Sequence, residues 1–196
     1  MTRSNLVLVV DDEPGLASLY GVWLQDQYEV RCETGGESAL SAIEDGVDAI
    51  MLDRQMPDCS GDEVLQRLRT AGNTCPVALV TAAKPDDAAF ALPFDDYLIK
   101  PVERDELVSS AERLLALSRY DAASRRCLRL SVKLALVDSV APALEETRDE
   151  LYATLRAEFA DALSEAEVPV TELPLHWTLS DALDSTVAPP ESERER

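Results

Sequence analysis

The chain has 196 residues, of which 46% are hydrophobic, so it is long enough for one medium-sized domain and a smaller second one. It carries 38 acidic and 18 basic residues, and this balance argues against a general nucleic-acid binder, which needs a basic face. Residues 1–118 have a net charge of −13 and residues 119–196 a net charge of −7, so neither part is a basic output domain.

Strand and helix patterns alternate along the first 118 residues. Continuous apolar runs or short alternating segments predict strands, and apolar residues at helical spacing predict the helices between them. The predicted strands are Asn5–Val10, Tyr28–Cys32, Ala49–Leu52, Val77–Val80 and Tyr97–Ile99. The predicted helices start at Pro14 and Gly36 and contain Val64–Leu68 and Leu107–Leu115, while Pro85 and Pro93 limit a fourth helix to one or two turns.

This alternation predicts an α/β fold, a doubly wound five-stranded parallel sheet with helices on both faces. In such sheets, ligands bind outside the carboxyl ends of the strands. Five polar residues fall at those predicted ends: Asp11, Asp12, Asp53, Thr81 and Lys100.

The second part of the chain predicts a small α-helical hairpin over residues 119–168. Leu130, Leu134 and Val137 have helical spacing, and so do Leu151, Leu155, Phe159 and Leu163, with the turn near Pro142. Residues 128–134 also alternate between apolar and polar, which is a strand pattern, so both alternatives stay open. Residues 169–196 are rich in proline and charge, which predicts a flexible tail in which Trp177, Leu179 and Leu183 could dock.

The acidic residues at the strand ends indicate a site for a hard divalent cation. Mg²⁺ prefers carboxylates, carbonyls and water, and Asp11, Asp12 and Asp53 supply the carboxylates. A carboxylate beside such a cation can act as a nucleophile toward a phosphoryl group and form an acyl phosphate. Lys100 and Thr81 would then donate to phosphoryl oxygens.

Four segments in order resemble the motifs of response regulator receiver domains: Val10–Glu13, Met51–Gly61, Val80–Ala83 and Asp96–Pro101. The resemblance covers about residues 5–118 and implies a flavodoxin-like fold with strand order 2-1-3-4-5. It implies phosphorylation of Asp53 and a Mg²⁺ site formed by Asp11, Asp12, Asp53 and the Gln55 carbonyl. Asp53, Thr81 and Lys100 are thus the expected catalytic residues. The resemblance also implies switch roles for Thr81 and Tyr97 and a cis peptide before Pro101.

The second part resembles the HalX domain of haloarchaeal regulators, through Tyr120–Asp121, Leu134–Leu136, Leu144–Glu146 and Leu151–Leu155. The shortage of lysine, with only Lys84, Lys100 and Lys133, also resembles proteins of halophilic archaea, where salt screens the repulsion between carboxylates. An ordinary acidic protein from a high-GC organism is the alternative.

The sequence thus predicts a response regulator with a receiver domain at 1–118, a HalX-like module at 119–168 and a tail at 169–196. A histidine kinase would be the phosphodonor, the output would run through protein contacts, and the C-terminal helices could form a homodimer. The receiver would promote only its own phosphotransfer and dephosphorylation. With no apolar run of membrane length and no signal peptide, a cytoplasmic location is expected.

Two rival functions differ in class from this prediction. A DNA-binding transcriptional regulator would need a basic recognition face, and Arg125, Arg126 and Arg129 form the only basic cluster of the second part. A phosphatase with an aspartate nucleophile would carry a DxD motif after the first strand, where this chain has Asp11, Asp12 and Glu13. Four cysteines without a CxxC pair, and one histidine, offer no recognisable zinc site.

Overall fold

A computed structural model describes residues 4–43, 46–139, 148–167 and 173. The chain divides into two compact units, residues 1–121 and residues 122–196. The predicted turn near Pro142 and the predicted tail, including Trp177, Leu179 and Leu183, lie outside the described residues.

The first unit contains one parallel sheet of five strands in the order β2-β1-β3-β4-β5, which confirms the predicted fold class. The strands are β1 (Leu6–Val10), β2 (Glu29–Glu33), β3 (Ala49–Leu52), β4 (Val77–Thr81) and β5 (Asp96–Ile99). Every residue of β3 and β4 is buried, as expected for central strands with helices on both faces. β2 is an edge strand, and its residues are exposed or half-buried. It begins at Glu29, which pairs with Leu6 of β1, one residue later than the predicted start at Tyr28.

Helices connect the strands in chain order. They are α1 (Pro14–Leu24), α2 (Gly36–Ile43), α3 (Gly61–Thr70), α4 (Asp87–Ala91) and α5 (Arg104–Ala116), and a short 3₁₀ turn (Leu117–Arg119) follows. α4 has only five residues, in agreement with the limit set by the two prolines. Asp86 is the N-cap residue, and its side chain caps the helix by accepting a hydrogen bond from the Ala89 N–H.

The second unit contains α6 (Ala122–Ser139) and α7 (Arg148–Glu165), which pack against each other. Residues 128–134 are helical, so the strand alternative is wrong there. The strand-like alternation arose because Leu128, Leu130, Val132 and Leu134 are all buried, although a helix places them on different faces.

The apolar stripe of α7 differs from the predicted one at its C-terminal end. Leu155 and Phe159 are buried as expected, but Ala162 is fully buried while Leu163 is only partly buried. A helix turns once every 3.6 residues, so a strict four-residue repeat drifts off the buried face after two or three turns.

Candidate functional site

Backbone hydrogen bonds continue the sheet beyond the strand ends and fix the positions of the predicted site residues. The Asp53 N–H donates to the Val10 carbonyl at 2.8 Å, and the Lys100 N–H donates to the Thr81 carbonyl at 2.8 Å. The Asp11 N–H donates to the Glu33 carbonyl at 3.1 Å. Because all five strands are parallel, these residues meet at one edge of the sheet.

Three carboxylates come together at that edge. Asp11, Asp12 and Asp53 each offer an oxygen within 4.8 Å of the others. Asp11 and Asp53 are 1% and 6% exposed, whereas Asp12 lies closer to solvent. Two buried carboxylates at this distance repel each other unless positive charge or hydrogen-bond donors stabilise them.

Both buried carboxylates have donors on each oxygen. The Glu13 N–H donates to Asp11 Oδ1 at 3.0 Å, and the Gln55 N–H donates to Asp53 Oδ1 at 3.0 Å. Lys100 Nζ contacts Asp11 Oδ2 at 2.7 Å and Asp53 Oδ2 at 2.6 Å. Lys100 is therefore the internal counter-ion of this cluster.

The pKa of Lys100 is shifted by opposing causes. Burial acts to lower the pKa, but hydrogen bonds to Asp11 and Asp53, together with their charges, raise it above its ordinary value. The ammonium is charged at every physiological pH, so it can serve as a fixed positive charge beside Asp53.

The donor set fits a hard divalent cation. Three clustered carboxylates are the ligand type that Mg²⁺ takes, and one of them faces solvent, where water ligands can complete an octahedron. The Gln55 carbonyl belongs to the same turn as Asp53, since the Gln55 N–H bonds the Asp53 side chain.

Gly61 sets the distance between the Asp53 loop and α3. A Cβ atom at this position would lie 2.1 Å from the Asp53 carbonyl oxygen and 2.9 Å from the Arg54 Cα. The Gly61 N–H donates to the Arg54 carbonyl at 3.0 Å. The structure therefore shows at Gly61 a contact between backbones that a side chain would prevent.

Thr81 and Tyr97 are joined through the segment after β4. Thr81 is fully buried, and its Oγ1 accepts a hydrogen bond from the Ala83 N–H at 3.2 Å. The Tyr97 hydroxyl donates to the Ala83 carbonyl at 2.8 Å, and its ring packs edge-on against Phe94 with centroids 5.5 Å apart. Tyr97 is 6% exposed, so the ring lies inside the fold. The Lys100–Pro101 peptide is cis.

Arg54 is a site residue that sequence reasoning missed. Its guanidinium binds the Asp62 carboxylate with two hydrogen bonds of 2.8 and 3.1 Å, and it contacts Asp86 at 3.0 Å. Burial raises the pKa of Tyr97, and the nearby Arg54 guanidinium acts against that rise. Nothing in the periodicity of the sequence signals these contacts, and only the adjacency to Asp53 could have drawn attention to Arg54.

The fold and the acidic pocket define a receiver-type α/β domain, and solved structures agree. The receiver domain of a LuxO-type repressor protein from Vibrio parahaemolyticus has a TM-score of 0.56 and 28% identity, covering 60% of this chain and 94% of that one. The Thermotoga maritima response regulator TrrA, in complex with Mg²⁺ and BeF, has a TM-score of 0.52 and 34% identity, covering 57% of this chain and 99% of that one.

Residues 7–112 match the family model of the response regulator receiver domain, and the chain belongs to this family, the receiver domains of two-component response regulators. Among the curated relatives, a Haloferax volcanii protein described as a transcriptional regulator is 38% identical over 86% of this chain. The Mycobacterium tuberculosis transcriptional regulatory protein PrrA is 34% identical over 95% of this chain and 84% of its own length.

This chain spans 30% of the Haloferax relative, and it spans half of CiaR from Streptococcus pneumoniae, which is 39% identical over 113 residues. Among the residues that the structure describes, no helix is both long enough and apolar enough to cross a bilayer.

Proposed function

We propose that Asp53 accepts a phosphoryl group from the phosphohistidine of a histidine kinase. The observation that carries this proposal is the environment of its carboxylate, in which Oδ2 contacts Lys100 at 2.6 Å within a cluster of three aspartates. One Asp53 oxygen attacks phosphorus, the P–N bond to histidine breaks as the P–O bond forms, and the histidine nitrogen takes up a proton. Lys100 and the Thr81 hydroxyl donate to phosphoryl oxygens.

Asp11, Asp12, Asp53 and the Gln55 carbonyl would hold Mg²⁺ in this proposal. The ion supplies positive charge that offsets repulsion between the carboxylates and the phosphoryl oxygens. The carboxylate cluster supports this assignment, and so does the presence of Mg²⁺ in the structure of the similar regulator TrrA. The receiver would promote only its own phosphotransfer and dephosphorylation, with no further substrate.

Phosphorylation would then shift a conformational equilibrium through Thr81 and Tyr97, toward an output made by protein contacts. The proposed domains are a receiver at 1–118, a HalX-like module at 119–168 and a tail at 169–196. Similarity to a haloarchaeal relative over 177 residues supports both the module and a halophilic setting. A homodimer through the C-terminal helices and a cytoplasmic location complete the proposal.

A DNA-binding regulator is the second candidate, because several relatives are described as transcriptional regulators. The charge of residues 119–196, which is −7, argues against direct phosphate contacts. Footprinting at high salt separates the two outputs. A specific footprint that is lost on joint replacement of Arg125, Arg126 and Arg129 would favour the DNA-binding output.

The phosphoacceptor assignment is tested with acetyl phosphate and Mg²⁺. Transfer from this donor breaks its P–O bond, releases acetate and forms the acyl phosphate, which mass spectrometry can map to one residue. Asp53→Asn should abolish the label, whereas Asp58→Asn, in the same loop but exposed, should keep it. An undiminished label in Asp53→Asn would contradict the proposal.

A further inference from the structure

The Arg54 side chain links the starts of two helices beside Asp53. Its Nε and Nη2 donate to the two Asp62 carboxylate oxygens, at 2.8 and 3.1 Å, in the first turn of α3. Nη2 also lies 3.0 Å from Oδ1 of Asp86, the N-cap residue of α4. One guanidinium therefore holds a carboxylate with two bonds and reaches a second carboxylate, which its planar set of five N–H donors allows.

The backbone of Arg54 is fixed as well. Its carbonyl accepts a hydrogen bond from the Gly61 N–H at 3.0 Å, and a Cβ atom on Gly61 would lie 2.9 Å from the Arg54 Cα. Asp53 precedes Arg54 in the chain, and Asp53 Oδ1 accepts the Gln55 N–H at 3.0 Å. Arg54 therefore belongs to the same hydrogen-bonded turn as the proposed phosphoacceptor.

Asp86 contacts Arg54 through the oxygen that caps α4. This oxygen, Oδ1, accepts the Ala89 N–H at 2.9 Å, and the Asp86 carbonyl accepts the Phe90 N–H at 3.2 Å. Burial acts to raise the pKa of Asp86, but the Ala89 hydrogen bond and the charge of Arg54 together lower it. α4 has only five residues, so it depends on contacts of this kind with the rest of the fold.

Burial distinguishes Arg54 from an arginine that pairs only on the surface. The Arg54 side chain is 10% exposed, although that of its partner Asp86 is 62% exposed. Arg67 also pairs with two acidic residues, and its side chain is 46% exposed. Arg67 is therefore a matched control, because it has the same chemistry and lies on α3 without the link to α4.

We propose that Arg54 is a positioning residue that ties the start of α4 to the Asp53 loop and passes displacements of this loop to α4. The inference rests on the proposed function, in which phosphorylation of Asp53 supplies the displacement. The segment between β4 and α4 is held at Ala83, whose N–H donates to Thr81 Oγ1, and at Asp86 by Arg54. Arg54 therefore gives the Asp53 loop its own connection to this segment, separate from the one through Thr81.

The experiment measures hydrogen exchange of the Ala89 amide in the full chain, resolved to single residues by mass spectrometry. The variants are Arg54→Gln, Asp86→Asn and the double variant, with Arg67→Gln as the control. Asparagine at position 86 keeps an acceptor that can cap α4 and removes the charge that Arg54 binds. The Ile50 amide, which donates a hydrogen bond of 3.0 Å inside the central sheet, reports whether each variant is folded.

Arg54→Gln should speed Ala89 exchange about threefold, because an ion pair with an exposed partner contributes modestly. Asp86→Asn should speed the exchange to a similar extent, and the double variant should be no faster than either, since both changes remove one interaction. Arg67→Gln should match wild type. Unchanged Ala89 exchange in folded Arg54→Gln, or effects that multiply in the double variant, would overturn the tie between Arg54 and α4.

Acetyl phosphate and Mg²⁺ then test whether the displacement is passed on. Wild type and Arg54→Gln are compared at equal labelling of Asp53. Phosphorylation should change Ala89 exchange in wild type, and this change should be smaller in Arg54→Gln. No change in wild type, or an equal change in both proteins, would overturn the transmission to α4.

Two further outcomes can be told apart. A folded Arg54→Gln that takes no label would place Arg54 in the transfer chemistry and overturn its role as a positioning residue. An unlabelled wild-type Asp53 would overturn the proposed function and the transmission that rests on it. The exchange rates without phosphodonor would then still decide whether Arg54 holds the start of α4.

Discussion

One ion-pair cluster in each unit of the chain shows a different degree of burial. In the receiver unit, Lys100 is 12% exposed and lies 2.7 and 2.6 Å from Asp11 and Asp53. In the helical unit, Arg126 is 41% exposed and lies 3.4 and 3.9 Å from Asp161 and Glu165. Buried charges are costly to desolvate, while exposed pairs contribute little to stability.

This difference indicates what each unit is built for. The buried charges of the receiver unit cost desolvation free energy, and a functional site can explain why they are kept. Substitutions of these residues should therefore change the phosphorylation chemistry. The α6–α7 pair buries mainly apolar side chains, with Phe159 1% exposed and Val137 fully buried, beside one buried charged side chain, Lys133. Substitutions in this pair should change stability, and the predictions below test that separation.

The largest effect is expected at the proposed metal site. Asp12→Ala removes one carboxylate ligand and should weaken Mg²⁺ affinity about 100-fold. Mutation of residues that only support the ligands of a metal already weakens its affinity by up to about 100-fold. Mg²⁺ titration followed by acetyl phosphate labelling of Asp53 measures it. The control is Glu13→Ala, the neighbouring exposed acid. Equal Mg²⁺ titrations for Asp12→Ala and wild type would show that the metal assignment is wrong.

A core substitution in the helical unit comes next. Phe159→Ala should destabilise that unit by about 3–5 kcal/mol, the usual cost of removing a buried phenyl ring. Arg126→Ala, one helix away, should change stability by less than about 0.5 kcal/mol, as is typical of exposed pairs.

Urea unfolding followed by circular dichroism measures both changes in the full chain. Asp53 labelling in the same samples should remain, because the receiver unit has its own core. If Arg126→Ala cost as much as Phe159→Ala, the contrast between the two units would disappear.

A moderate effect is expected from salt. With a net charge of −20, repulsion between carboxylates opposes folding, and dissolved ions screen it. The melting temperature should therefore rise between low and molar KCl. A flat or falling melting temperature would count against the halophilic interpretation.

The smallest effect concerns Asp58, which links the loop after Asp53 to α2. Backbone N–H groups of Cys59, Gly36 and Glu37 lower the pKa of its carboxyl. Because the pKa is lower in the folded state, the ionised carboxylate stabilises the fold at any pH above the ordinary pKa of the carboxyl. This stabilisation is lost as the pH falls through the pKa of the folded state. Asp58→Asn should melt earlier than wild type at neutral pH, and the difference should shrink at acid pH. A difference that is constant with pH would contradict the role of the charge.

Much of the receiver fold was predictable because its signals are local. Apolar runs mark β1, β3 and β4, and the polar residue after each run falls at the same sheet edge in any parallel arrangement. The positions of Asp11, Asp53 and Thr81 follow from this rule without detailed geometry, and Lys100 follows β5 in the same way.

Other features depend on geometry that a sequence pattern does not carry. Arg54 contacts Asp62 and Asp86 only because the α3 and α4 starts lie beside the same loop. Residues 128–134 satisfied two periodicities at once, since all of their leucine and valine side chains are buried. Ala162 is buried in place of the predicted Leu163, because a four-residue repeat departs a little further from the 3.6-residue helical turn at each step.

The contact at Gly61 has a consequence for how this molecule can diversify. With a Cβ atom only 2.1 Å from the Asp53 carbonyl, no other amino acid fits without displacing the loop that carries Asp53. Position 61 is thus closed to any other amino acid, while Glu63, Gln66 and Thr70 on the same helix line an open surface pocket. A new binding specificity on α3 would therefore have to evolve at these pocket positions and not at Gly61.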